Sequence, residues 1–184
     1  MKRLALLIAL VVCSVSSSWA QNKNCYVYGV DFSHAKVYAA EESVQDFARA
    51  FEAINLLLVR EPEKYNFYNF CGCTVDLVLD PIMKVLSTAD YSNLKTYSKL
   101  YPEIDYAKCV KEYVLPQKEG NGVILIAKFL DKPAASATYT VIVFDIATRE
   151  ILVKEDASGR AAGFGLRNYW ARTVSNILSE YKLQ

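Results

Sequence analysis

Gly122-Val123-Ile124-Leu125-Ile126-Ala127-Lys128-Phe129-Leu130, followed by Thr138-Tyr139-Thr140-Val141-Ile142-Val143-Phe144, decides how this chain folds. The first run is apolar on both alternating faces, as a central strand covered on both sides requires, and only Lys128 interrupts it. The second is β-branched and aromatic, suited to the middle of a pleated sheet. Glu150 to Asp156 alternates towards polar, as an outer strand should, so the three runs predict an antiparallel meander. A glycine-punctuated loop, Ser158 to Gly165, then leads into a helix whose apolar stripe is Leu166, Trp170, Val174, Ile177 and Tyr181.

Working back through the chain, Cys25 to Phe32 reads as a strand that joins this meander. Ser43 with Asp46 forms a capping box ahead of a broad stripe, Val44, Phe47, Phe51, Ile54 and Leu58, and the helix stops at Glu61-Pro62. Tyr65-Asn66-Phe67-Tyr68-Asn69-Phe70 has no clean period and reads as an edge strand or packed loop, with a sugar-binding platform as its alternative because aromatic faces and amides suit glycans. Asp80-Pro81 opens a helix through Leu86, Leu94 to Tyr97 is a short edge strand, and Pro102 to Val114 is a further helix. The whole predicts an α+β fold: a mixed or antiparallel sheet with a carboxy-terminal three-stranded meander and helices packed on it as a two-layer sandwich.

Residues 1–20 have the form of a secretory signal: Lys2-Arg3, an almost wholly apolar Leu4 to Val15, and small residues at Ser18 and Ala20 before Gln21. Val12 stands where a lipidated Cys13 would need a small residue, which argues against a lipid anchor. Residues 21–184 are then a single globular domain with no transmembrane segment, secreted to the periplasm or cell surface. Without Lys2 and Arg3 the basic residues no longer outnumber the 20 acidic ones, which argues against a nucleic-acid partner. Cys25, Cys71, Cys73 and Cys109 are disulfide candidates in an oxidising compartment; a Cys71–Cys73 ring is very tight, leaving Cys25 and Cys109 each to take one of them. A C-x-C spacing and one histidine, His34, do not make a metal site, and no cofactor is called for.

Catalysis by serine, histidine and acid would run through His34, but Asp31 and Ser33 beside it in an extended segment point away from a relay. The strongest local feature is the loop Arg160, Gly163, Phe164, Gly165, Arg167 and Asn168. Glycines at a strand-to-helix junction expose backbone N–H groups, and two arginines can grip a phosphate or carboxylate. The alternative is structural, with glycines permitting a tight crossover and Arg167 pairing with Asp145 or Asp156. The run lacks the third glycine of a dinucleotide fingerprint.

Asp31-Phe32-Ser33, Phe51-x-x-Ile54-Asn55, Lys118-Glu119-Gly120 with Gly122, Phe144 to Thr148, and Gly163-Phe164-Gly165 with Arg167 to Ala171 resemble uncharacterised secreted proteins and lipoproteins of Bacteroidetes bacteria. More distantly, a meander with a Phe-Asp-x-x-Thr turn followed by a packing helix is similar to the amino-terminal domain of TolB, although Arg149 stands where such turns have glycine. The resemblance implies an envelope setting and an α+β sandwich, and it brings no activity or catalytic residues. The sequence therefore points to a non-enzymatic envelope protein, a binding or assembly accessory module for an envelope protein or cell-wall component. Its alternative is a small-ligand or glycan-binding protein, including a hydrolase.

Overall fold

The computed structural model describes residues 24–183; the secretory signal read in residues 1–20 lies outside them. One sheet organises the chain. β1 (Cys25–Asp31) and β2 (Lys36–Tyr38) are two segments of one path, broken by a turn, and both run parallel to β5 (Asn121–Asp131). β3 (Val75–Leu77) lies parallel beside β1, and β4 (Lys95–Thr96) parallel beside β2. On the other side of β5, β6 (Ser136–Asp145) and β7 (Ile151–Arg160) pair antiparallel.

The expected α+β two-layer sandwich is corrected by this arrangement. All pairing among β1 to β5 is parallel, which requires helical crossovers, and helices α1 (Val44–Arg60), α2 (Phe67–Cys71), α3 (Asp80–Thr88) and α4 (Tyr106–Glu112) supply them. The fold is α/β, with a core on each face of the sheet. Val123, Leu125 and Ala127 of β5 face α1, α2 and the closing helix α5 (Leu166–Glu180). Ile124 and Ile126 face the opposite core with Cys109, Val110 and Tyr113 of α4 and its end, and Ile82 of α3. β6 divides likewise, Val141 and Val143 to one side, Ile142 and Phe144 to the other. The cause is visible in the residues: strands apolar on both faces need cover on both.

Two local devices hold the frame. Gly29 (φ +101°) sits where the β1 register slips against β5, and buried Asn55 of α1 packs against it. The Asn55 Oδ1 accepts from Val30 N at 2.8 Å and its Nδ2 donates to Val30 O at 2.9 Å, satisfying both backbone groups of Val30 beside the bulge. A Cβ on Gly29 would stand 2.3 Å from that Oδ1. At the other helix, a Cβ on Gly159 would stand 2.1 Å from Thr173 O, so only glycine lets α5 lie this close to β7.

α1 begins with the Ser43–Asp46 capping box and ends at Glu61, as its sequence predicts. Tyr65 to Phe70 is neither an edge strand nor an open platform. It contains the short helix α2, and Tyr65, Phe67 and Phe70 are buried in the core, with only Tyr68 outside. In the turn after β6, Asp145 Oδ1 accepts from Ala147 N and Thr148 N, and Arg149 takes the left-handed φ of +64°. Arg149 Nη1 then donates to Val110 O at 3.3 Å, tying the turn to α4.

Candidate functional site

Three places in the molecule gather chemistry-bearing side chains. The first is the loop that carries β7 into α5. Its base is fastened on both sides: Ala161 N donates to Ala135 O at 2.7 Å, Asn176 Nδ2 to Arg160 O at 3.2 Å, and Ala162 N to Tyr169 O at 3.3 Å. Its tip is held by two glycines, Gly163 at φ +118° and Gly165 at φ +77°, and Gly165 is the helix N-cap without a side-chain cap bond. Between them Phe164 projects with 97% of its surface exposed, while Trp170, in the second turn of α5, is fully buried.

The arginines do not converge. Arg160 and Arg167 are both exposed, and Arg167 Nε donates to neighbouring Asn168 Oδ1 at 3.0 Å instead of reaching Asp145 or Asp156. Asp156, although exposed, is taken by Lys128 Nζ (2.6 Å) and Thr140 Oγ1 (2.6 Å); partial desolvation opposes them, but these bonds hold its carboxyl below the usual range. What meets the loop is a small cavity of about 170 Å³ lined by Glu42, Lys132, Gly163, Gly165, Leu166 and Tyr169. Lys132 Nζ donates to Glu42 Oε1, and although desolvation opposes it, that bond lowers the Glu42 carboxyl. A carboxylate beside the helix start repels an anion, so the cavity does not favour the phosphate or carboxylate grip. Gly163 and Gly165 thus meet a closed ion pair, and Phe164, Arg160, Arg167 and Asn168 face outwards.

At the same end of the sheet, where β2, β4 and β5 finish, a further aromatic group reaches the surface at Tyr101. The ring of Tyr101 stacks on Phe129 at 5.0 Å under Lys128 Nζ, and Phe129 stacks on Tyr38 under Lys99 Nζ. Tyr97 and Leu100 stand outside this stack.

The second place is a cleft of about 230 Å³ at the break between β1 and β2, lined in part by Ser33, His34, Asp90, Tyr91, Asn93 and Glu103. Exposed His34 is part of its wall, and its Nε2 lies 3.2 Å from the Sγ of Cys109 in α4, which does not line the cleft. Asp31 lies beneath, buried, accepting from Tyr113 Oη at 2.7 Å and Ser33 N at 2.8 Å. Sequence reasoning weighed Asp31 and Ser33 as partners of His34 and set them aside, and it missed Cys109, because the pair is 75 residues apart and no local signal joins it. The contact resembles a nucleophile and base in outline. Burial, then the charge of Asp31, pushes the Cys109 thiol up to about 11, so only about one in ten thousand is thiolate at neutral pH.

The third is a cluster of thiols. Cys25, Cys71 and Cys73 meet at the start of β1, while Cys109 lies in the core on the opposite face, near the far end of β1. That separation corrects the expectation that Cys109 pairs with Cys71 or Cys73. Among the described residues no group of three or more His, Cys, Asp and Glu is placed to hold a metal ion, and no helix is long and apolar enough to cross a membrane.

No family model and no curated protein matches the chain. Among solved structures, a hypothetical protein of Chlamydia trachomatis is similar over 86% of this chain and 90% of its own, at 13% identity and a TM-score of 0.33. At that level the likeness bears on neither fold nor activity.

Proposed function

We propose that this chain is a secreted, envelope-associated binding module that works without catalysis and engages an envelope protein or cell-wall component through the loop at the start of α5. The observation that carries the reading is Phe164, 97% exposed between two glycines in left-handed conformations, on a loop fastened at its base. An aromatic ring gains most when buried, and aromatic residues with arginine are the usual anchors of protein interfaces. Arg160 and Arg167 flank it, and Tyr97, Leu100 and Tyr101 add apolar surface at the same end of the sheet. The resemblance to Bacteroidetes envelope proteins fits this setting.

The test is co-purification from gently cross-linked cell envelopes, comparing the native protein with Phe164→Ser and with Arg160 and Arg167 both changed to alanine. A stoichiometric partner lost from these variants while they remain folded supports the module. A partner retained by both removes the loop from the account.

A second reading, a small-ligand-binding protein or hydrolase, is favoured by the His34–Cys109 contact beside its cleft. The depressed thiolate population opposes it. Rapid alkylation of Cys109 at neutral pH, lost in His34→Ala, would carry that second reading instead.

A further inference from the structure

Cys25 opens β1, pairing with Val75 of β3 on one side and Asn121 of β5 on the other. Cys71 is the last residue of α2. Gly72, at φ +68°, ends that helix and turns the chain so that Cys73 arrives two residues before Val75. The Cys25 side chain is consequently set beside those of both Cys71 and Cys73. Cys25 and Cys71 are buried in the main core, whereas Cys73 packs against its rim and is half-buried. The arrangement is one shared sulfur with an inner and an outer neighbour.

We propose that these three thiols form an exchangeable disulfide centre, in which Cys25 bonds to either neighbour, Cys73 admits the oxidant, and Cys25–Cys71 is the resting bond. The oxidant is a disulfide, RSSR, from a small thiol or a thiol oxidoreductase. Cys73 loses its proton and attacks one sulfur of RSSR, which forms a mixed disulfide and releases the first RSH. The Cys25 thiolate then attacks the Cys73 sulfur, releasing the second RSH and leaving Cys25–Cys73. In a final step that is redox-neutral, Cys71 attacks the Cys25 sulfur, and Cys73 departs as a thiolate and regains a proton. Overall two protein thiols and RSSR give one protein disulfide and two RSH, with two electrons passing to RSSR. The inner bond is the resting one because both its sulfurs are shielded from reductant, and Cys73 remains as an outer thiol. Burial, then the neighbouring Cys25, pushes the Cys73 thiol up to about 12, so Cys73 is the entry point by access and not by acidity: the exchange is slow at neutral pH and accelerates as pH rises. The inference concerns thiols remote from Phe164 and holds whether or not the loop binds a partner.

The test treats the reduced, folded protein with oxidised glutathione, quenches with N-ethylmaleimide and counts thiols by intact mass. The native protein and Cys109→Ser should each lose two thiols to one internal bond. Cys25→Ser should form none, and Cys25→Ala, which keeps the site apolar, repeats that result if serine disturbs folding. Cys71→Ser should still close Cys25–Cys73, and Cys73→Ser should close Cys25–Cys71 at least about tenfold more slowly, because the oxidant must then reach a buried sulfur. Unchanged thiol counts, a bond that includes Cys109, or oxidation of Cys73→Ser at the native rate each overturns the proposal.

Discussion

Trp170 and Phe164 belong to one continuous unit, less than two helical turns apart, and meet opposite environments. Trp170 is fully buried beneath α5, stacked edge-on by Tyr169 at 4.9 Å, while Phe164 is 97% exposed at the loop tip. The difference separates two tasks. The helix body closes the main core, and the loop ahead of it is fastened only at its base and contributes almost no packing. An aromatic residue kept out of a core that takes Phe47, Phe51, Phe67 and Phe70 has no stabilising reason to be aromatic.

That contrast is tested first where the largest effect is expected. Trp170→Ala should destabilise the protein by about 3–5 kcal/mol, the usual cost of truncating a large buried aromatic, read from denaturant unfolding. Trp170→Phe should cost less, because it retains much of the ring area and removes an indole N–H that is buried without a partner. A Trp170→Ala curve that matches the native one would break the comparison at its buried end.

On the opposite face, Tyr113→Phe removes the 2.7 Å bond to buried Asp31 and should cost about 1.5–3 kcal/mol by the same measurement. A loss below about half a kcal/mol would mean that this pair does not organise the second core. Gly159→Ala pushes a methyl group into the Thr173 backbone and should cost about 1–3 kcal/mol, whereas alanine at Gly165 meets no atom within 4 Å and bears only the strain of its left-handed φ.

The pH dependence sharpens the same division. Burial pushes the phenols of Tyr28, Tyr91, Tyr113 and Tyr139 upwards, so they stay neutral in the folded protein at pH values where an unfolded chain ionises them. A folded-state pKa raised in this way gives stability that is whole below the unfolded value, about 10, and lost as pH rises above it. Phenolate absorbance from these residues should therefore appear together with alkaline unfolding. Ionisation of all of them in a protein with a native circular dichroism spectrum would contradict their burial.

Much of the frame can be read from the residues that build it. The two-sided apolar runs of β5 and β6, the Ser43–Asp46 capping box and the Trp170 stripe each carry a local period or cap that physics reads directly. The class of fold does not follow from them. β2, β3 and β4 have two or three residues each, too few to show a period, and their parallel pairing depends on contacts far along the chain. The two-layer expectation failed although β5 already demanded cover on both faces, because the helix over the second face, α4, is only seven residues long. Tyr65 to Phe70 was hard to place because a five-residue helix buries its rings without completing a stripe. At the site, the glycines announced a special backbone, but nothing in Gly163-Phe164-Gly165 says which way the ring points. Likewise the meeting of His34 with Cys109, and of Cys25 with Cys71 and Cys73, is made only by the fold.

The measurement that bears most directly on the division between frame and loop is the thermal unfolding of Phe164→Ser beside the native protein. A ring that serves a partner and not the core leaves stability within about 0.5 kcal/mol, so the two curves should overlay. A melting temperature lowered by several degrees would show that Phe164 packs in the folded protein, and would contradict the reading of the loop as a surface held free for binding.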